Sequence, residues 1–440
     1  MDDGTAMIPL PVEFVERMER QLRNELPDFL HALSLPPVRG IRIHPGKPFY
    51  GIEKYTKNQQ VPWEKNGYLL EASSTAGGTV FHEAGAFYLQ EPAAMLPAAV
   101  LDARPGEKIL DLCAAPGGKT TQIAMHMEGK GLLVSNEPVP KRALILSRNV
   151  ERLGIQNCIV TNAFPGDLPH SWDETFDAVL VDAPCSGEGM FRRDPESRLE
   201  WTREKASGCA ERQREILQEA DRFLRPGGRI VYSTCTYNPE ENDKVISRFL
   251  AENPDYQAEP FVLPGVDGRE GMFLCLPHRT PGEGQFVAKL RKAGIPTAPK
   301  LKVPFSAPVK QETEIIHASF PGLPLPNAKF GKTMVLVPEC PDMQGVRVIR
   351  AGLHLCEIRG KNVFPDHAAA MSCLSDYPDV KEISSEEAED YIAGKEICGQ
   401  EQGWILMRYR NLILGWGKGS NGRIVNHYPK GLRKNSILIE

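Results

Sequence analysis

No apolar stretch of the sequence approaches the roughly 18 residues a membrane span requires, and the longest candidate, around Ala93–Leu101, is interrupted by Pro97. The first four residues, Met-Asp-Asp-Gly, are acidic, and no basic segment leads into an apolar one, so no secretory signal is visible. The expectation is a soluble, cytoplasmic chain. Its ten cysteines include no Cys-x-x-Cys pair and no His/Cys grouping at zinc spacing. That argues against a metal centre, a disulfide framework and a dithiol redox enzyme. A dominant charge is missing too: the net charge is −5 and the pI about 6.1. Any contact with nucleic acid has to come from local basic patches.

What is present is core-forming material. The 440 residues, 41% of them hydrophobic, suffice for roughly two to four domains. From Ile109 to about Leu290 short apolar runs alternate with helical periods. The runs are Ile109–Leu112, Leu132–Ser135, Cys158–Val160, Ala178–Val181 and Arg229–Tyr232, each short enough for a strand buried on both faces. One helix carries Ala143, Leu146, Val150 and Leu153 and stops at Gly154. A second aligns Ile216, Ala220 and Phe223 before Pro226-Gly227-Gly228. A third is expected to open at Asn238-Pro239-Glu240-Glu241, with Asn238 as cap and Glu241 reaching back to it. This alternation predicts an α/β fold with a mostly parallel, doubly wound sheet. Residues 81–293 form that core; residues 1–80, helical at Phe14, Met18 and Leu22, form an N-terminal α/β extension. The Pro- and Lys-rich stretch 294–312 reads as a linker, and 313–440 as a further C-terminal region.

After the first strand comes Asp111-Leu-Cys-Ala-Ala-Pro-Gly-Gly-Lys-Thr120, running into a helix. Small residues at a strand-to-helix turn let the backbone approach a ligand at the carboxyl edge of the sheet. A phosphate-binding Gly-x4-Gly-Lys-Ser/Thr loop is excluded because its first glycine would stand at Cys113, and a Gly-x-Gly-x-x-Gly fingerprint is absent. Glu137, at the end of the second strand, stands where an acid accepts hydrogen bonds from a ribose diol. The fourth strand ends in Asp182-Ala-Pro-Cys185 and the fifth in Ser233-Thr-Cys235. A lone cysteine is ordinarily a buried small hydrophobe. Two at the ends of neighbouring strands, each framed by polar and turn residues, point instead to thiols converging on one substrate atom.

These segments, with Tyr88-Leu-Gln-Glu-Pro92 and Gly282-Glu-Gly-Gln-Phe286, resemble the Nol/Nop/Sun family of RNA 5-methylcytosine methyltransferases over residues 36–293. Gly187-Glu-Gly-Met-Phe-Arg192 and the long C-terminal extension are most similar to its small-subunit ribosomal RNA methyltransferase F (RsmF-like) group. The resemblance implies a Rossmann-like core binding S-adenosyl-L-methionine and methylation of 16S ribosomal RNA, free or in the 30S subunit. By it Cys235 is the nucleophile that adds to cytosine C6, Cys185 assists release, and Asp182 stabilises charge near N3. By it, too, Cys113, Ala114, Ala115, Pro116, Gly117, Gly118 and Lys119 line the cofactor, Glu137 holds the ribose, and Arg142 and Asp182 belong to the same site. The family places an Asp after the third strand for the adenine amino group. Spacing here puts Phe164 there, leaving that role to Asn162 or a backbone group. Arg42-Ile-His44 carries His where the family often has Asn.

A base must leave its stack to meet both cysteines, so a flipped or single-stranded cytosine is implied. Residues 281–310 carry six Lys/Arg against the single acid Glu283, and 408–440 seven against Glu440. Tyr409, Trp416 and Tyr428 interleave the second patch, which therefore reads either as a stacking and phosphate surface or as a solvated face over core aromatics. Gly415-Trp-Gly-Lys-Gly and Gly431-Leu-Arg433 resemble a PUA-type RNA-binding module at about 380–440. The balanced charges of Glu188–Glu215 read as a mixed surface and active-site loop. A DNA cytosine methyltransferase attacks from Pro-Cys, so Thr234-Cys235 beside Pro184-Cys185 favours the RNA type. A tRNA-directed enzyme and a catalytically idle RNA-binding assembly factor stay open as alternatives. Nothing demands more than a monomer.

Overall fold

Phe14 and Met18, one turn apart, have no exposed surface and draw the start of the chain into two helices, α1 (Val12–Leu22) and α2 (Leu26–Ser34). The computed structural model describes residues 8–47, 49, 51–372 and 377–438; the acidic start at 1–4 and Glu440 lie outside the described residues. An antiparallel sheet follows, of β1 (Gly40–Ile43), β2 (Thr56–Gln60), β3 (Gly67–Leu70) and β4 (Phe87–Leu89), ordered β2-β3-β1-β4.

The apolar runs of the middle of the chain become β5 (Lys108–Asp111), β6 (Leu132–Asn136), β7 (Cys158–Thr161), β8 (Phe176–Asp182) and β9 (Leu224–Thr234). They are joined by helices α3 (Gly118–His126), α4 (Pro140–Arg152) and α5 (Arg203–Phe223). Helix α6 (Asp243–Glu252) leads to β10 (Tyr256–Ala258), β11 (Met272–Cys275) and β12 (Gln285–Lys292). The neighbours β9-β8-β5-β6-β7 are all parallel, while β12 lies antiparallel on β9 and takes β10 and β11 on its far edge. The winding direction reverses between β5 and β8, and that crevice is where such sheets hold ligands. The core is Rossmann-like, as expected. One strand comes from beyond residue 312: β13 (Val348–Ala351) pairs antiparallel with β7 and covers what would otherwise be an open edge. Further along, Gly154, with φ of +68°, admits the close approach of the chain at Met371, because a Cβ there would stand 2.1 Å from the Met371 carbonyl oxygen. The rest of the C-terminal half is a four-stranded sheet over 328–365 and a five-stranded sheet over 380–426. Among the described residues no helix is long and apolar enough to cross a membrane.

Several expectations need correction. The third helix begins at Asp243, not Asn238: residues 239–242 form turns, and the Glu241 carboxylate accepts from the Asn238 side-chain amide at 3.4 Å but is held chiefly in the interior by Ser186. Strand β9 starts at Leu224, so Pro226-Gly227-Gly228 lies inside it, beside a register shift at Phe176/Ala178. In the basic patch at 281–310, Lys289 and Arg291 pair with Glu259, and Lys292 pairs with Asp221. Tyr409, Trp416 and Tyr428 are buried, so of the two readings the core aromatics hold. The Trp416 indole donates to the Asp366 carbonyl oxygen at 2.9 Å and packs edge-on against Tyr377. Trp416→Ala is therefore expected to destabilise the full chain by about 3–5 kcal/mol in urea unfolding. A loss below about 1 kcal/mol, the range of surface substitutions, would return the ring to the surface.

Candidate active site

Parallel register sets the carboxyl ends of β5, β6, β8 and β9 side by side: Asp111 is level with Ser135 and Leu180, and Asp182 with Ser233. The loop after β5 is stitched to its neighbours, Leu112 N–H donating to Leu180 O and Ala114 N–H to Asn136 O, both at 2.9 Å. Gly117, at φ +110°, makes the turn into α3. Arg42, fully buried, braces the first turn of α3 by donating to Gly118 O (3.0 Å), Thr121 Oγ1 (2.6 Å) and Gln90 Oε1 (3.1 Å). The N-terminal sheet thus buttresses this loop. His44 is half-buried, its ring 3.0 Å from Leu153 O and held neutral by burial, with a pKa lowered to about 3.

A cavity of about 860 Å³ opens over these strand ends, within the usual range for small-molecule sites. Cys113, Ala115, Glu137, Arg142, Asp182, Cys185 and Cys235 all line it. Glu137 is buried, accepting from Ala115 N–H at 3.3 Å and Val139 N–H at 2.9 Å, and Arg142 reaches both its carboxylate (3.4 Å) and Ala115 O (2.8 Å). A buried acid at a strand end above a turn of small residues suits a nucleoside cofactor. Ala114, Pro116, Gly117, Gly118 and Lys119 are not among the lining residues; they shape the turn from behind. Asn162 is not among them either. Its amide donates to Glu137 O (2.7 Å) and Pro138 O (2.9 Å) and accepts from Arg347 (3.3 Å), so it supports the Glu137 backbone instead of facing the cavity. Phe164 lines the cavity rim and is 66% exposed.

The two thiols meet. Cys185 Sγ and Cys235 Sγ stand 3.2 Å apart, and Cys235 N–H donates to Cys185 Sγ at 3.3 Å. The hydrogen bond with Cys235, burial, and the charge of Glu241 hold the Cys185 thiol well above the usual range, so it keeps its proton. Beside them Asp182 accepts from Ser233 Oγ (2.7 Å) and pairs with Lys119 Nζ (2.7 Å). Burial disfavours the Lys119 charge, but Asp182 outweighs it and raises the pKa of the ammonium. A fixed positive charge therefore stands next to the thiols.

Sequence reasoning missed the groups that hold this arrangement. Glu241, fully buried, accepts from Ser186 N–H at 2.8 Å, Ser186 Oγ at 2.5 Å and Gln213 at 3.0 Å, while Ser186 Oγ lies 3.0 Å from Thr236 Oγ1. The residue after each cysteine is thereby tied to the other loop. Glu188, read as part of a mixed surface, is also fully buried; it takes Arg17 of α1 at 2.6 Å, the Trp201 indole at 3.0 Å and Tyr237 N–H at 3.2 Å. The only signal was the unusual density of acids near both cysteines, which does not report depth.

Comparison with known proteins matches residues 98–291 to the family model described as 16S rRNA methyltransferase RsmB/F. Residues 10–92 match the N-terminal domain of 16S rRNA methyltransferase RsmF, 323–373 the RsmF first C-terminal domain, and 379–434 the methyltransferase RsmF PUA domain. The chain is 33% identical to ribosomal RNA small subunit methyltransferase F of Vibrio cholerae, over 98% of this chain and 99% of that one. The protein of the same name from Citrobacter koseri is 35% identical, over 97% and 98%. Among solved structures, a methyltransferase homolog from Pyrococcus horikoshii superposes with a TM-score of 0.57 at 28% identity, covering 65% of this chain and 96% of that one.

Asp111, at the floor of the site, is fully buried; Oδ2 accepts from Thr120 Oγ1 at 2.6 Å and Oδ1 has no partner among the described residues. Burial, with Asp182 adding to it and Thr120 opposing, pushes its pKa up from 3.8 to about 7. The folded chain then keeps a proton that the unfolded chain releases, so this group's contribution to stability falls as pH rises from about 4 to 7. Urea unfolding across that range is expected to show a flatter or more upward slope with pH for Asp111→Asn than for wild type. Identical slopes would contradict the assignment.

Proposed function

The chain belongs to the RsmB/F family of 16S rRNA methyltransferases, and from that premise we propose that it methylates C5 of a cytosine in 16S ribosomal RNA through a covalent adduct on Cys235. The observation that carries this reading is the pair of thiols, 3.2 Å apart, on the wall of a cavity sized for a nucleoside cofactor. Cytosine C5 is a poor nucleophile until a thiolate adds at C6, which moves the electron pair of the 5,6 double bond onto C5. S-adenosylmethionine, when bound, supplies an electrophilic methyl group. Glu137 and the turn at Cys113–Ala115 hold it, with Arg142 closing over the Glu137 carboxylate.

The remaining steps fall to side chains. Asp182 accepts from the cytosine 4-amino group beside N3, and the Lys119 ammonium next to it favours the negative charge that builds on the ring as Cys235 adds. After transfer, C5 bears both its proton and the methyl group. Loss of the proton to water and expulsion of the Cys235 sulfur as thiolate restore the double bond. Cys185 favours that expulsion, because its retained S–H hydrogen-bonds the departing sulfur. Cytosine reaches both thiols only outside a stack, so the substrate segment is flipped or single-stranded.

Transfer of labelled methyl to unmodified small-subunit RNA and to 30S particles tests this reading. Wild type is expected to label cytosine C5 and Cys235→Ala to lose at least about a thousandfold in rate, the scale of removing a nucleophile. Cys185→Ala is expected to accumulate an RNA–protein adduct. Activity retained in Cys235→Ala but lost in Cys185→Ala would reverse the two roles. No labelling of either substrate by wild type would favour an RNA-binding assembly factor.

A further inference from the structure

We propose that Glu219 reads the purine of the cofactor, accepting the exocyclic amino group of adenine, while Phe164 covers the ring. The inference rests on the S-adenosylmethionine reading above. The thiols stand beyond β8 and β9, whereas the loop after β7 lies four strands away from β9 along the sheet. With Glu137 at the ribose and the methyl group directed to the thiols, the base falls toward the loop after β7. That end of the cavity is walled by Pro138 and Val139 from one side, Phe164 and Pro165 from another, and Ile216 and Glu219 of α5. Pro138, Val139, Phe164, Pro165 and Ile216 are apolar or aromatic, which suits a flat heterocycle, and the polar residues of the α5 wall are Arg212, Glu215, Gln218 and Glu219.

A purine amino group in such a cleft needs an acceptor, because leaving a donor unmet on binding costs affinity. Of the carboxylates at the strand ends, Asp182 is engaged by Lys119 and Ser233, and Glu137 by the Ala115 and Val139 amides. Glu219 differs. Its Oε2 accepts both Nε (3.1 Å) and Nη2 (2.9 Å) of Arg222, which fixes the side chain, and Oε1 has no partner among the described residues. Oε1 also faces the right place, 3.8 Å from where a Cβ on Gly166 would sit, directly beside Phe164 and Pro165. Arg222 is in turn anchored to Asp173 (2.8 Å) and Leu168 O (3.0 Å), so the acceptor is held from behind. Glu215, one turn earlier on α5, lines the cavity but is exposed and has no such anchor among the described residues.

A carboxylate here attracts the amino group of adenine and repels the carbonyl oxygen that replaces it in hypoxanthine. Glu219→Gln places an amide N–H donor opposite that oxygen. Calorimetric titration of the full chain with S-adenosylhomocysteine and S-inosylhomocysteine separates these cases without relying on turnover. Wild type is expected to prefer the adenine compound by about 10- to 100-fold, the scale of one unmet buried hydrogen bond. Glu219→Gln is expected to collapse or invert that ratio, Glu215→Gln to keep it, and Phe164→Ala to weaken both compounds alike. A wild-type ratio in Glu219→Gln, or a collapse in Glu215→Gln instead, would overturn the proposal. Failure of wild type to bind S-adenosylhomocysteine at all would overturn the cofactor reading beneath it.

Discussion

The parallel pairing of β8 with β9 is the constraint on which the site depends. With Asp182 level with Ser233, the three residues after Asp182 and the two after Ser233 bring Cys185 and Cys235 together above one point of the sheet. A slip of one residue would turn one strand's side chains to the opposite face and displace the loop that follows it. The strands alone do not fix the loops, and Glu241 completes the constraint. A buried carboxylate is costly unless donors surround it, and here Ser186 and Gln213 supply them. The same bonds that offset its burial hold the two thiol loops to each other.

The flanking regions act on this centre through a few buried polar contacts. Helix α1 reaches it by Arg17 on Glu188, three residues past Cys185, and by Gln21 on Tyr237 O, two residues past Cys235. Arg192, buried, binds Glu283, Gly282 O and Ala32 O, joining the loop after Cys185 to α2 and to the segment entering β12. Arg42 does the same for the cofactor turn from β1. On the other side β13 and Arg347 support β7 and Asn162, and through Asn162 the backbone of Glu137. The N-terminal and C-terminal regions therefore contribute to the geometry of the centre.

The sequence disclosed those features that obey local rules. Buried parallel strands read as short apolar runs, and a turn that admits a ligand reads as small residues between strand and helix, so β5 to β9, the Cys113–Lys119 turn, Glu137 and both cysteines could be placed in advance. What escaped depends on depth and on long-range packing. Asn238-Pro239-Glu240-Glu241 has the spacing of a helix cap, and nothing local reveals that Glu241 bonds Ser186, 55 residues away. Glu188 and Arg192 look like surface charge until their buried partners are known. Trp416 sits in a basic stretch yet fills a sheet core, and β13 lies past a linker-like segment but completes the central sheet.

The proposed reaction requires that Cys235, not Cys185, bonds the base. Small-subunit RNA carrying 5-fluorocytidine halts the proposed reaction after methyl transfer, because fluorine at C5 replaces the proton whose loss releases the adduct. Digestion of the trapped complex and mass spectrometry then identify the modified peptide. RNA bonded to Cys235, and formed only when S-adenosylmethionine is supplied, is the expected result. A bond to Cys185, or no covalent complex despite methyl transfer to normal RNA, would contradict it.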